Sequence, residues 1–231
     1  MASADTDLTS FPRPSVAVDV AVMTARREGT LGVLLHRRSG DKAGEWALPG
    51  RFLRERERLS HAVAKTLSEK CGLPDRSLAG AGPRQLHVFD DPHRDDRGWV
   101  LSVAHMLALP YAELGQAVAS RTDVRIVPID DGTLHLPDRQ RRLPYGQDEI
   151  VQRAVEELRW LYEQGPDPEG LLGSDAFTLS ELRDVHAAVL GEPWQIDTFR
   201  RRMQPLLLET GEQTAGGPGR PAALFRKAAP H

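Results

Sequence analysis

The chain is 231 residues long, 40% hydrophobic and 27% charged, with a net charge of −3 at pH 7. That composition suits one large domain, or a large and a small one, and it excludes a protein that coats nucleic acid through overall positive charge. Cys71 is the only cysteine, which excludes an intrachain disulfide and a structural zinc site built of thiolates.

Met1 to Ser15 is polar, carries Pro12 and Pro14 and has no apolar h-region, so residues 1–15 read as a disordered arm and not as a signal peptide. Residues 16–23, VAVDVAVM, are almost continuously apolar and β-branched, the pattern of a buried strand. After a polar turn with Gly29, Gly32 to Arg38 reads as the returning strand. A loop from Ser39 to Glu45 leads into Trp46-Ala47-Leu48-Pro49-Gly50. Leu59, Ala62, Val63, Leu67 and Cys71 then follow helical spacing, with Gly72 placed to close the helix. Further strands are expected at Gln85–Phe89, Val100–Leu109 and Val124–Pro128, the first two split by the charged loop Asp90–Gly98. A long amphipathic helix runs from Gly146 to about Glu163, with Ile150, Val151, Ala154, Val155, Leu158, Leu161 and Tyr162 on its apolar stripe. No apolar run approaches the roughly 20 residues of a membrane span, and the expected location is the cytoplasm.

Gly and Pro concentrate in residues 165–175, which read as a linker between a first domain, 16–164, and a second, 176–231. The second shows a helix at Leu179–Leu190, a tight turn at Gly191-Glu192-Pro193, and a helix from about Ile196 to Gln204. Leu206–Thr210, a Gly-rich tip and Ala222–Arg226 follow as a hairpin, completing the order of a winged helix-turn-helix. Thr178 is placed as an N-cap, with Glu181 completing a capping box, and Gln195 or Asp197 would cap the second helix. At about 100° per residue, Ile196, Phe199 and Met203 face inward. Arg201 then points straight out, with Asp197, Thr198 and Gln204 around it and Arg200 and Arg202 at the two edges. A base-reading face flanked by phosphate-binding cations is what a helix in the major groove requires. Arg220, at the base of the Gly-rich tip, is placed to reach a minor groove. Taken alone, an Arg run on a helix reads as a solvated face; the run and the tip together favour the DNA interface. The candidate DNA-binding set is Thr178, Gln195, Thr198, Arg200, Arg201, Arg202 and Arg220.

Two strands, a loop ending in W-x-L-P-G and a helix closed by Gly resemble the Nudix fold from Val16 to about Glu163. The implied fold class is α+β, a Nudix α/β/α sandwich followed by a winged helix-turn-helix. The family signature, G-x5-E-x7-R-E-U-x-E-E-x-G-U with U a bulky aliphatic, ends on Gly72 and Leu73. Glu57 then matches its first Glu, whereas Arg51 replaces the first Gly, Lys65 the Arg and Thr66 the next Glu; the paired Glu residues become Glu69 and Lys70. Positions 66 and 70 share a helix face, and Nudix hydrolysis needs carboxylates there for a divalent metal. A Lys in that place repels the ion by about 1–4 kcal/mol at a surface-like dielectric. The expectation is a domain with no catalytic residues, no resident metal and no cofactor. A working hydrolase of ADP-ribose or a nucleotide sugar, resting on Glu57 and Glu69, is the alternative.

Lost catalysis need not remove binding. Arg37 and Arg38 end a strand beside the Nudix loop and are placed to contact a diphosphate, as is Arg97. Trp46, Phe89 and Trp99 are candidates to stack on a base, and Glu57 completes the candidate ligand set. Each Arg reads equally as a solvated charge, and Phe89 as ordinary core.

Beyond the Nudix layout, four segments resemble the NrtR-type Nudix-related transcriptional regulators. They are Q-L-x-x-F-D-D-P-x-R-D-D-R-G-W from Gln85, L-P-Y-G-Q-D-E-I from Leu143, F-T-L-S-E-L from Phe177, and E-T-G with G-x-G-R-P-A-A-L-F-R up to Arg226. The resemblance implies a homodimeric repressor on a palindromic double-stranded operator, released by ADP-ribose or a related nucleotide. Gln147 stands where many members have His, and Trp99 where many have Arg.

Overall fold

The computed structural model describes residues 10–26, 29–40, 42–74, 82–130, 132–214 and 221–228. Its centre is β1 (Ser15–Ala25), whose continuous apolar run is buried on both faces. Val18, Val20 and Val22 face one side, packed against α1 (Leu59–Thr66) and α2 (Tyr111–Ala119). Ala21, Met23 and Ala25 face the other, against α3 (Gln147–Gln164). This period-2 alternation between two helical layers makes the α/β/α sandwich expected from the sequence.

β2 (Leu31–Arg37) returns antiparallel to β1 through Met23↔Val33. β6 (Val100–Ala108) lies parallel on the other edge of β1, from Ser15↔Val100 to Met23↔Ala108. β5 (Arg84–Phe89) flanks β6, and β7 (Val124–Asp130) and β8 (Thr133–Leu134) extend the sheet beyond β2. Two short strands complete it: β3 (Trp46–Ala47) pairs with β2, and β4 (Gly50–Phe52) pairs with β1 through Asp19↔Gly50. The helix α1 continues as a π-helical stretch over Leu67–Cys71 and closes on Gly72 at φ 69°. The Leu73 and Gly72 N–H groups donate to the Leu67 and Ser68 carbonyls, satisfying the helix end. Among the described residues no helix is long and apolar enough to cross a membrane.

The C-terminal unit has its own core of Phe177, Leu182, Phe199, Met203, Leu207 and Phe225. Phe177 precedes α4 and pairs its backbone with Phe225; the others come from α4 (Leu179–Leu190), α5 (Ile196–Met203) and the hairpin β9 (Leu207–Gln213) and β10 (Ala223–Lys227), the winged-helix arrangement. Both halves of the Thr178–Glu181 capping box form. One expectation fails: Ile196 is 63% exposed, because the first turn of α5 extends past the core that Phe199 and Met203 fill. Gln195 is the N-cap residue of α5 and makes no side-chain capping bond.

The two units share packing. Ala188 and Val189 of α4 join Leu158, Leu161 and Tyr162 of α3 in the core of the sheet unit. The Gly- and Pro-rich segment between them is folded down: Asp167, Glu169 and Leu171 are buried. Tyr162 Oη donates to Asp167 Oδ1 at 2.5 Å, and Lys227 Nζ to the Asp167 carbonyl at 2.9 Å. Arg84 of β5 binds Glu169 at 2.7 Å.

Candidate functional site

A cavity of about 370 Å³ opens where β1, β2 and β4 meet the end of α1 and the start of α3. Among the described residues, seven Arg and Lys side chains line it against four Asp and Glu, so its field favours an anion. Arg37 and Arg38 come from the end of β2, Arg51 from β4, Arg94 and Arg97 from the loop before β6, Arg121 from the loop before β7, and Lys70 from the π-helical stretch. Most of these cations are held. Arg97 grips Asp95 with two nitrogens at 2.9 and 2.7 Å, which keeps the Asp95 carboxyl below its ordinary pKa. Arg121 grips Asp123 at 2.9 and 2.7 Å. Arg37 binds Asp138 at 2.9 Å, outside the cavity. Burial lowers the His36 pKa to about 4, with Lys70 adding to the effect, so this ring is neutral near pH 7.

The floor is a buried polar network. Asp19 accepts from Ser102 Oγ at 2.5 Å and from Gln147 Nε2 at 2.8 Å, and Gln147 Oε1 accepts from the Leu48 N–H at 2.8 Å. Gly50 is required beside it: a Cβ there would lie 2.2 Å from Asp19 Oδ1. At the mouth, Tyr145 and Gly146 both adopt left-handed backbone, at φ 58° and 65°. For Tyr145 that conformation costs about 1–2 kcal/mol, offset by Arg94 Nη2 donating to its carbonyl and Arg38 Nη2 to its hydroxyl, both at 2.9 Å. Arg38, Lys42 and Arg97 surround the Tyr145 ring at 4.8, 4.5 and 4.4 Å from its centroid.

The structure brings Arg37, Arg38 and Arg97 together and places the other candidates outside the cavity. Trp46 is buried under Arg37 and Arg125, its Nε1 donating to Asp138 at 2.9 Å. Glu57 accepts from the Arg54 N–H at 2.9 Å and pairs with Arg51 at 3.1 Å, and these contacts hold its pKa down. Phe89 packs against the core and edge-on to His87, and Trp99 is exposed beyond the cavity lining. Sequence reasoning missed Tyr145, Arg94 and Arg121 as cavity residues. Their positions carry no shared periodicity that would reveal them.

The metal that the Nudix signature serves finds a poor donor set. Thr66 is buried and its hydroxyl donates to the Ala62 carbonyl at 2.7 Å. Glu69 pairs with Lys65 at 3.7 Å, Glu57 is committed to Arg51 and Arg54, and position 70 presents an ammonium. Hard divalent ions need several oxygen ligands, and these residues do not supply them.

On the winged helix, Gln195, Thr198, Arg200 and Arg201 are exposed along α5. Arg200 borders a groove formed with the start of α4 (Thr178, Leu179 and Ser180) and with the hairpin at Gln213 and Ala222. Thr178 is buried, its hydroxyl occupied by the capping box. Arg202 lies at the opposite edge, donating to the Glu163 carbonyl of α3 at 2.8 Å and covering Trp194. The Arg220 position lies outside the described residues.

Comparison with known proteins covers both units. Residues 13–148 match the NUDIX domain family, and residues 171–226 match the NrtR DNA-binding winged helix domain. The crystal structure of Shewanella oneidensis NrtR complexed with a 27mer DNA is similar at a TM-score of 0.73 and 31% identity, covering 92% of this chain and 93% of that one. The NUDIX domain of the same protein, complexed with ADP ribose, is similar at a TM-score of 0.51 and 27% identity, covering 67% of this chain and 95% of that one. The ADPR responsive transcriptional repressor NtrR of Acinetobacter baylyi is 26% identical over 222 residues, 94% of this chain and 84% of its own. With both units matched in order and nearly the full length of the Shewanella protein covered, the chain belongs to the NrtR-type family, a NUDIX domain joined to an NrtR DNA-binding winged helix domain.

Proposed function

We propose that this chain is a transcriptional repressor that binds double-stranded operator DNA through its winged helix and releases it when ADP-ribose occupies the NUDIX cavity. The observation that carries the reading is the course of α3. Its first residue, Gln147, sits in the floor of the cationic cavity, and its last turn receives Arg202 of α5. A ligand in the cavity and a groove around α5 thus act on opposite ends of one helix. The cavity's excess of cations suits a diphosphate, and the Shewanella and Acinetobacter relatives support ADP-ribose as the effector.

In this reading Arg37, Arg38 and Arg97 serve the ligand, while Thr198, Arg200 and Arg201 serve DNA, with Arg220 reaching a minor groove. A homodimer on a two-fold operator sets the spacing of two recognition helices. The NUDIX domain binds its ligand without hydrolysing it, because Thr66 and Lys70 stand where metal-binding acids are needed.

Fluorescence anisotropy on duplexes that the protein itself enriches from a random pool tests the whole proposal. Tight binding to the enriched duplex, weakened by added ADP-ribose, is the expected result. No preference over random duplex at low salt overturns the DNA-binding half. Release of AMP from ADP-ribose with Mg²⁺ or Mn²⁺ overturns the claim that hydrolysis is absent.

A further inference from the structure

Lys70 is the cavity's anomaly. It is half-buried at the end of the Nudix helix, and among the described residues it has neither a hydrogen bond nor an ion pair. Its neighbours differ: Arg51, Arg97 and Arg121 each hold a carboxylate within 3.1 Å. A desolvated cation without a partner is destabilising, and a folded protein keeps one where something else completes it. We propose that the Lys70 ammonium takes the place of the divalent metal of hydrolytic Nudix pockets and holds the diphosphate of the ligand directly, so that binding needs no metal. This rests on the effector reading above.

Three observations converge on it. The first is position: Lys70 occupies the last Glu of the signature, on the helix that in hydrolases holds the metal against the diphosphate. The second is the fate of the other ligands. Thr66 turns to the Ala62 carbonyl, Glu57 is held by Arg51 and Arg54, and Glu69 leans to Lys65, so the signature positions build no carboxylate cage around the ammonium. The third is the local field. Burial, and then Arg38, push the Lys70 pKa down and outweigh the opposing pull of the buried Asp19 carboxylate, a situation an arriving dianion relieves. A metal draws both the substrate and an attacking water; an ammonium draws only the substrate. The same substitution therefore removes hydrolysis and keeps binding, which a sensor of an unconsumed ligand requires.

Calorimetric titration of the full chain with ADP-ribose and with inorganic pyrophosphate, each in EDTA and in excess Mg²⁺, tests the proposal. Wild type is expected to bind with the same affinity, within twofold, in EDTA and in Mg²⁺. Lys70→Met should bind both ligands at least tenfold more weakly, yet melt no lower than wild type when unliganded, since an unpaired cation has been removed. Lys70→Arg should retain most of the affinity, and Lys70→Glu should bind only with Mg²⁺ present. The proposal is overturned if EDTA abolishes wild-type binding, if neither ligand binds in EDTA, or if Lys70→Met binds within twofold of wild type. If pyrophosphate binds in EDTA through Lys70 but ADP-ribose does not, the effector reading fails and the role of Lys70 stands.

Discussion

Arg202 of α5 donates from Nη2 to the backbone carbonyl of Glu163, in the last turn of α3, at 2.8 Å. A cation at a helix C-terminus meets both an orphan carbonyl and the negative end of the helix dipole. This Arg, read from the sequence as an edge of the DNA-binding face, is engaged with the sheet unit in the DNA-free chain. Arg202→Ala should lower stability by about 1 kcal/mol, seen as a small drop in melting temperature. It should also reduce the extent to which ADP-ribose weakens DNA binding, while the ADP-ribose affinity itself is unchanged. An unaltered response to ADP-ribose in anisotropy titrations would show that this contact carries no coupling.

Arg201 differs, being exposed with no partner among the described residues. Arg201→Ala should weaken binding to the preferred duplex by about 1–3 kcal/mol, roughly five- to 150-fold, with preference over random DNA reduced as well. Arg200→Ala, beside the hairpin groove, should instead weaken all duplexes alike and flatten the slope of log affinity against log salt by about 1.

His186 is fully buried between Tyr162 of α3 and Phe199 of α5, with ring centroids 5.0 and 5.2 Å away, and among the described residues neither ring nitrogen has a hydrogen-bond partner. Burial, and then Arg202, lower its pKa from 6.5 to about 4. The folded state resists a proton that the unfolded chain accepts, so stability is greatest above pH 6.5 and falls as pH drops toward 4. The loss from this group is about 3 kcal/mol across that window. His186→Leu should flatten the fall in urea-unfolding free energy between pH 6.5 and 4 by that amount. A variant whose pH profile parallels wild type would exclude His186 as its source.

Gln147 bridges Asp19 and the Leu48 N–H inside the cavity floor. Gln147→Leu leaves two buried polar groups without this partner, at a cost of about 3 kcal/mol. It should also weaken ADP-ribose binding by loosening the start of α3 around Tyr145. Chemical denaturation and calorimetry together check both effects, and a variant as stable as wild type would rule out the bridge as a structural element.

Much of this was legible in the sequence because the signals are local. The apolar run of β1, the stripe of α3 and the Thr178–Glu181 box each lie within a few residues, and each element formed where expected. The replacements at Thr66 and Lys70 could be read because a signature fixes their spacing. The cavity could not, since Arg51, Arg94, Arg121 and Tyr145 are far apart in the chain and meet only once β4 and β6 pair with β1, β7 pairs with β2, and α3 begins beside them. Helix α2 also escaped: Tyr111, Leu114, Ala117 and Val118 share one face, but the stripe spans only nine residues and only Leu114 on it is fully buried. Ile196 misled because helical spacing predicts a direction, and a first turn that overhangs its core has nothing in that direction to meet.

The helix α4 gives Leu182 to one hydrophobic cluster and Ala188 and Val189 to another. One twelve-residue helix thereby serves two cores, and neither core can open without stripping the other of part of its filling. Pulled from its ends in an optical trap, the molecule should rupture in a single event and not as two beads on a string. For a regulator such stiffness has a use: strain raised at one end cannot dissipate in slack chain before it reaches the other.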